Sequence, residues 1–92
     1  MSWTVNYCRA AEKQQQKLPE RIRVLLDTLV YEIMKSGPVR GNWQNYGKLS
    51  GGLHHCHLKR GKPTYVAVWR EEAGEIKIVE ITYVGTHEKA PY

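Results

Sequence analysis

The sequence predicts an α+β fold in which two N-terminal helices pack on one face of a small, mostly antiparallel sheet. Three observations support this prediction. An apolar stripe with helical spacing runs through residues 18–33, and an alternating segment follows at residues 53–59. Two β-branched, nearly apolar segments complete the chain at residues 64–71 and 75–85. Helices followed by a run of strands are typical of an α+β domain.

The composition predicts a single globular domain that spans residues 1–92. Hydrophobic residues make up 41% of the chain and charged residues 25%, which is typical of a folded domain. A formal net charge of +5 favours a polyanionic partner, either a nucleic acid or an acidic protein segment. No apolar run approaches the roughly 20 residues of a membrane span, and the N-terminus lacks the apolar region of a signal peptide. We therefore expect a cytoplasmic protein without membrane contact.

The first half of the chain predicts a strand and two helices. The alternation in WTVNYC indicates a short strand, and residues 9–17 favour a short, largely exposed helix. Pro19 fits the first turn of a second helix, because its missing N–H costs nothing there, and Gly37 followed by a proline ends that helix. The apolar face of the second helix consists of Leu18, Ile22, Leu25, Leu29 and Ile33, widened by Leu26 and Val30.

The second half predicts a glycine-rich loop over residues 37–52 and then a meander of three strands. LHHCHLK is the first strand, GKP turns the chain into TYVAVWRE, and residues 72–74 turn it again into EIKIVEITYVG. The last two strands are apolar on both faces, which places them in the middle of the sheet. In the loop, Trp43 and Tyr46 either pack beneath it or stack on nucleic-acid bases, and Lys48 is a candidate phosphate contact.

The histidine-rich strand carries the residues best suited to chemistry. Its alternation turns Cys56 and Leu58 toward the helices and leaves His55 and His57 on the other face. A first interpretation is a zinc site with His87 as third ligand, although no carboxylate lies close in sequence to orient the imidazoles. A second interpretation is that the histidines simply face solvent.

The third interpretation, which we prefer, is acid–base catalysis without a metal or another cofactor. Imidazole titrates near neutral pH, so one histidine accepts a proton while another donates one. Nearby cations would bind a phosphate and stabilise the charge that develops on it. Such a surface suits RNA cleavage, in which the adjacent 2′-hydroxyl is the nucleophile. The cations assigned to phosphate binding on and around this strand are Lys59, Arg60, Lys62 and Arg70.

The order of elements and several motifs resemble the RelE/ParE family of toxin–antitoxin toxins. The motifs are KLP at the start of the second helix, KLSGG before the meander, YVAVW in the central strand and VGTHEKAPY after it. The similarity covers nearly the whole chain, and the order and spacing of the motifs carry most of its weight. It implies a β-α-α-β-β-β fold and a hydrolase that cleaves mRNA, on the ribosome, to inhibit translation. It also implies a cognate antitoxin as partner.

The resemblance further implies which residues cut RNA. Where RelE toxins carry two lysines around one apolar residue, this chain has His55 and His57. The family also has a motif of Val-Gly, then a basic residue, then an aromatic residue. In this chain VGTH supplies the Val-Gly pair and His87, and Tyr92 is the aromatic residue. This combination is most similar to the YafQ-like branch. We predict that the tail folds back over the sheet, so that His87 acts as the general acid beside His55 or His57 as the base. Tyr92 would stack on or orient a nucleotide base near the cut.

One departure from the family bears on how the phosphate is held. RelE proteins place an arginine near the start of the central strand, and this chain has Thr64-Tyr65 there. The surrounding cations would have to supply that charge. Two alternatives to a ribonuclease stay open: a non-catalytic module that binds a nucleic acid or a protein, and a ParE-like inhibitor of DNA gyrase. The ParE branch lacks this catalytic set, so the histidines argue against it.

Overall fold

The elements follow the predicted order of a strand, two helices and then strands. The computed structural model describes residues 2–72 and 77–92. No helix in those ranges is long and apolar enough to cross a membrane. Short 3₁₀ turns precede β3, at Ser50–Gly52, and follow β5, at His87–Lys89. The helices and strands are β1 (Thr4–Tyr7), α1 (Arg9–Gln16), α2 (Glu20–Ser36), β2 (Gly47–Lys48), β3 (Leu53–Lys59), β4 (Tyr65–Glu71) and β5 (Ile78–Thr86).

Helix α2 forms because its apolar residues fall on one side of a helical period. Ile22, Leu26, Leu29 and Ile33 on that side are completely buried. A proline precedes the first residue of the helix. The glycine that follows its last residue has a φ of 98°, a value that other residues rarely adopt. The stripe and the C-terminal end agree with the sequence prediction, whereas Pro19 and Leu18 directly precede the helix and do not lie within it.

The strands form one sheet in the order β1-β5-β4-β3-β2. All neighbours pair antiparallel except β1, which runs parallel to β5 at one edge. The apolar strands β4 and β5 lie inside the sheet, as their composition predicts. The prediction of an unbroken loop over residues 37–52 is wrong at one point, because Gly47 and Lys48 pair with His55 and His54 to form β2. Two residues are too few to give a strand pattern in the sequence.

The core lies between the helices and one face of the sheet. Cys56 and Leu58 of β3 and Trp69 of β4 belong to the same buried cluster as the inner side chains of both helices. This arrangement confirms the predicted one-sided fold and leaves His55 and His57 on the face without helices. The predicted turn at residues 72–74 and the predicted strand start at residue 75 fall largely in residues 73–76, outside the described residues.

Candidate active site

The face of the sheet without helices carries His55 and His57. Cross-strand pairing places them beside Val68 and Val66 of β4. Both valines are buried, although neither belongs to the helix-side cluster. The two imidazoles are themselves only partly exposed. They therefore lie on an apolar floor rather than in open solvent.

The segment after β5 returns to this face. The backbone N–H of His87 donates to the carbonyl of Thr64 at 2.8 Å, which attaches the tail to the hairpin between β3 and β4. The ring of His87 lies edge-on to that of His57, with 5.5 Å between centroids. The ring of Tyr92 lies 4.6 Å from His55 and 6.0 Å from His87. The structure thus brings these four predicted residues together as one histidine cluster, made of His55, His57, His87 and Tyr92.

Two glycines make room for this arrangement. A Cβ atom on Gly47 would lie 3.0 Å from Nε2 of His55. A Cβ atom on Gly85 would lie 2.7 Å from the hydroxyl oxygen of Tyr83. That hydroxyl donates to the carbonyl of Thr86 at 2.7 Å, directly before the tail. The glycine of the Val-Gly motif is therefore needed for the close approach of a tyrosine.

Burial and neighbouring charges favour the neutral form of the two strand histidines. Loss of water lowers the pKa of both His55 and His57, and repulsion from His87 lowers the pKa of each further. Arg60 also lowers the pKa of His57. The Nδ1 atom of each ring is buried and has no hydrogen-bond partner among the described residues. Protonation of both nitrogens leaves a buried N–H without an acceptor, which also favours the neutral ring. Because Nδ1 is buried, Nε2 is the atom available for proton transfer.

The other reactive side chains near the cluster are held in their protonated forms. Burial raises the pKa of the Tyr92 hydroxyl, which makes this side chain a neutral ring rather than a base. Burial, aided by Glu32, raises the pKa of the Cys56 thiol to about 12. The cysteine between the two histidines is thus a core residue and not a nucleophile. Within residues 2–72 and 77–92, no three His, Cys, Asp or Glu side chains are grouped so as to hold a metal ion.

A cationic cleft adjoins the histidine cluster at the hairpin between β3 and β4. It has a volume of about 710 Å³, and its lining joins His57 and His87 to the cations of Arg60 and Lys62 and to the carboxylate of Glu88. Arg60 and His57 also line a second groove, of about 440 Å³, together with Lys59. Three of the five predicted cations therefore lie next to the cluster.

The other two predicted cations lie elsewhere. Lys48 pairs with His54, and cross-strand partners share a face, so the register assigns Lys48 to the helix side of the sheet. The guanidinium of Arg70 lies 2.8 Å from the carboxylate of Glu80 and 3.6 Å from that of Glu72. These carboxylates already balance the charge of Arg70, so it is a poor candidate for phosphate binding.

His54 is the histidine that the sequence reasoning did not assign. Its side chain is completely enclosed, with Nδ1 2.7 Å from the hydroxyl of Tyr46 and Nε2 3.1 Å from the carboxylate of Glu71. The ring also stacks on Trp69 at an interplanar angle of 3°. The alternation that turns Cys56 inward, applied two residues earlier, would have placed His54 inward as well. Because its hydroxyl contacts this buried ring and its side chain packs against the core, Tyr46 is a packed residue beneath the loop.

The architecture is that of the RelE toxins. A mutant of the E. coli toxin RelE in its free state shares 22% identity at a TM-score of 0.71, over 92% of this chain and 83% of that one. The archaeal RelE–RelB complex from Pyrococcus horikoshii contains a chain with 16% identity and a TM-score of 0.70, over 98% and 100%. A chain of the toxin–antitoxin complex RelBE2 from Mycobacterium tuberculosis shares 25% identity at a TM-score of 0.57, over 94% of this chain and 99% of that one.

These likenesses confirm, at the level of the fold, the resemblance to the RelE family that the sequence motifs indicate. Comparison with models of known protein families gives no match, and comparison with curated proteins gives none either.

Proposed function

We propose that the protein is the toxin of a toxin–antitoxin system and acts as a metal-independent mRNA endoribonuclease in the cytoplasm. The observation that supports this function best is the convergence of three imidazoles and a tyrosine beside the cationic cleft. The shared fold supports the toxin part, since the similar structures are toxins, alone or in complex with antitoxins. Fold alone does not define an activity, so the ribonuclease part of the proposal depends on the histidine cluster.

In the proposed mechanism, Arg60 and Lys62 hold the scissile phosphate in the cationic cleft. Nε2 of His57 removes the proton from the adjacent 2′-hydroxyl, a role that suits an imidazole whose pKa is lowered. The 2′-oxygen attacks phosphorus, the bond to the 5′-oxygen breaks, and His87 protonates that leaving oxygen. The products are a 2′,3′-cyclic phosphate and a 5′-hydroxyl. Ribosomal RNA or proteins would position the mRNA.

His57 is a better base than His55 in this geometry. Only His57 lines the cleft together with His87. The ring of His55 instead lies against that of Tyr92. His55 therefore supports the tyrosine, which stacks on a base near the cut. A neutral tyrosine ring is suited to stacking, because every base offers it an aromatic face.

The test is induced expression followed by mapping of mRNA 5′ ends, for the wild type and for His87→Ala. A general acid contributes about 10²–10⁴-fold, so new 5′ ends should fall by that factor while the protein stays folded. Lys13→Ala, an exposed change on α1, is the control and should cut like the wild type. Full cleavage by His87→Ala or a product with a 3′-hydroxyl would contradict the mechanism. Growth arrest by both proteins without cut mRNA would favour a non-catalytic binding module.

The proposed partner is a cognate antitoxin that presents acidic residues to this cationic chain. Charge complementarity mainly accelerates association and is screened by salt, whereas buried apolar contacts set the dissociation rate. Binding to the product of the adjacent gene should therefore show an association rate that falls steeply with salt. If that product neither binds nor restores growth, the toxin assignment loses its partner.

A further inference from the structure

We propose that the second groove, beside Arg60, binds the base of the nucleotide that carries the attacking 2′-hydroxyl, and that Gln44 reads the edge of this base. We call it the upstream groove. This inference rests on the proposed function, because it uses the polarity of the cleavage reaction. It goes further by assigning a determinant of sequence preference to a residue outside the histidine cluster.

The upstream groove is continuous with the cationic cleft. His57 and Arg60 line both of them, so the two meet at the end of β3. The loop wall of the groove is fixed to the strand, because the backbone N–H of His57 donates to the carbonyl of Gln44 at 2.8 Å. A single strand held at the cleft by Arg60 can therefore pass directly into the groove. Lys59, which also lines the groove, supplies a second positive charge along that path.

The position of His87 gives the bound strand a direction. His87 lines the cationic cleft but not the upstream groove. In the proposed mechanism His87 protonates the 5′-oxygen of the downstream nucleotide, and His57 takes the proton from the upstream 2′-hydroxyl. The groove that contains His57 without His87 thus lies on the upstream side. Its base is the one immediately 5′ to the cut.

The walls of the groove have the chemistry of a nucleobase site. Trp43 and Leu25 give it apolar surface. The Nε1–H of Trp43 donates to the Glu32 carboxylate at 2.8 Å, and the same oxygen accepts from Asn42 at 2.9 Å. These contacts hold the indole in place before any ligand binds, which reduces the entropy cost of stacking.

Gln44 provides the hydrogen-bonding part of the site. Its side chain is exposed, and among the described residues its amide has no hydrogen-bond partner. An amide presents a donor and an acceptor side by side, which matches the polar edge of a base. Single-stranded RNA is recognised in this way, through stacked bases whose edges pair with side chains.

The experiment compares the wild type with Gln44→Ala and with the matched control Gln16→Ala, an exposed glutamine on α1. Induced cells are used, and the base composition on each side of the mapped cuts is counted. We expect the wild type and Gln16→Ala to prefer one base immediately 5′ to the cut by about tenfold, the size of a good amide–base pair. Gln44→Ala should flatten this preference and leave the composition 3′ to the cut unchanged.

Several results would overturn the upstream groove while leaving the ribonuclease function intact. They are a wild type without upstream preference, an unchanged preference in Gln44→Ala, and a change confined to the 3′ side. If the wild type makes no cuts, the proposed function fails instead. The upstream groove is then tested by fluorescence anisotropy, which measures the affinity of the wild type and Gln44→Ala for 2′-O-methyl oligo-A, oligo-C and oligo-U. An affinity that depends on the base in the wild type and not in Gln44→Ala supports the groove. Affinities that are equal for all three oligonucleotides in both proteins refute it.

Discussion

Strand β3 places neighbouring histidines in opposite environments. His54 lies on the helix side, where both ring nitrogens have partners and the ring stacks on Trp69. His55 and His57 lie on the other side, where Nδ1 has no partner among the described residues. Buried polar groups that are fully paired stabilise one structure, whereas unpaired groups at a cleft are available for chemistry. The same residue type thus serves the fold on one face of the strand and, as proposed, catalysis on the other.

The largest expected effect is on activity and comes from a change on the open face, which is the face of the sheet without helices that carries His55 and His57. His57→Gln keeps a polar side chain of similar length but removes the titrating group. Cleavage in induced cells should fall about 10²–10⁴-fold, since the general base is lost. Thermal unfolding should stay close to that of the wild type, because the Nδ1 atom of His57 contributes no hydrogen bond to the described residues. If His57→Gln lost thermal stability as well as cleavage, the two faces of the strand would not differ as proposed.

The second expected effect is on stability, from the helix side. His54→Ala should lower the free energy of unfolding by roughly 2–4 kcal/mol, measured with urea. The change opens a cavity beside Trp69 and leaves the hydroxyl of Tyr46 without its partner.

A milder pair of variants separates the hydrogen bond from the cavity. Tyr46→Phe should cost roughly 1 kcal/mol, and Tyr31→Phe, on an exposed tyrosine of α2, should cost nothing measurable. Cleavage should survive in each protein that remains folded. A His54→Ala protein as stable as the wild type would mean that the network carries no stability.

Local patterns in the sequence predict most of the fold, but they predict only part of the difference between the two faces of β3. Alternation over residues 53–59 separates Cys56 from His55, and the stripe of α2 selects the covered face. The partners of His54 come from the loop and from β4, at residues 46 and 71, so no local spacing reveals them. The pairing of Arg70 with Glu80 likewise depends on cross-strand register. Register also assigns Lys48 to the helix side.

The third prediction concerns the ring that covers His55. Tyr92→Ala should weaken binding of 2′-O-methyl RNA by about 1–3 kcal/mol, the value of one stacked base. The ring is 44% exposed, so stability should change little. Tyr31→Ala, on another exposed tyrosine, is the matched control and should bind normally. If both variants bind equally well, Tyr92 does not contact RNA.

The fourth prediction uses the glycine that faces His55. Gly47→Ala brings a Cβ to 3.0 Å from Nε2 of His55, so the imidazole beneath Tyr92 must move by a few tenths of an ångström. Overpacking of this kind costs about 1 kcal/mol, and cleavage should fall with it. Gly41→Ala has nothing within 4 Å of its Cβ and should leave both quantities unchanged. Identical behaviour of the two variants would show that His55 tolerates displacement.

The smallest expected effect is the pH dependence of stability that the open face contributes. The pKa of His57 is lowered in the folded protein from 6.5, mainly by burial. Well above the ordinary pKa of about 6.5, neither state holds the proton and the contribution of His57 to stability is complete. As the pH falls further, the unfolded chain takes up the proton first, so stability is lost down through the folded pKa. The wild type should therefore lose more stability than His57→Gln between about pH 7.5 and pH 5 in urea unfolding.

NMR titration of the His57 ring should give a midpoint below that of free histidine, and His87→Ala should raise this midpoint by removing a repelling charge. A midpoint at or above the ordinary value would mean that the imidazole is not desolvated, and the difference between the two faces of β3 would lose its physical basis.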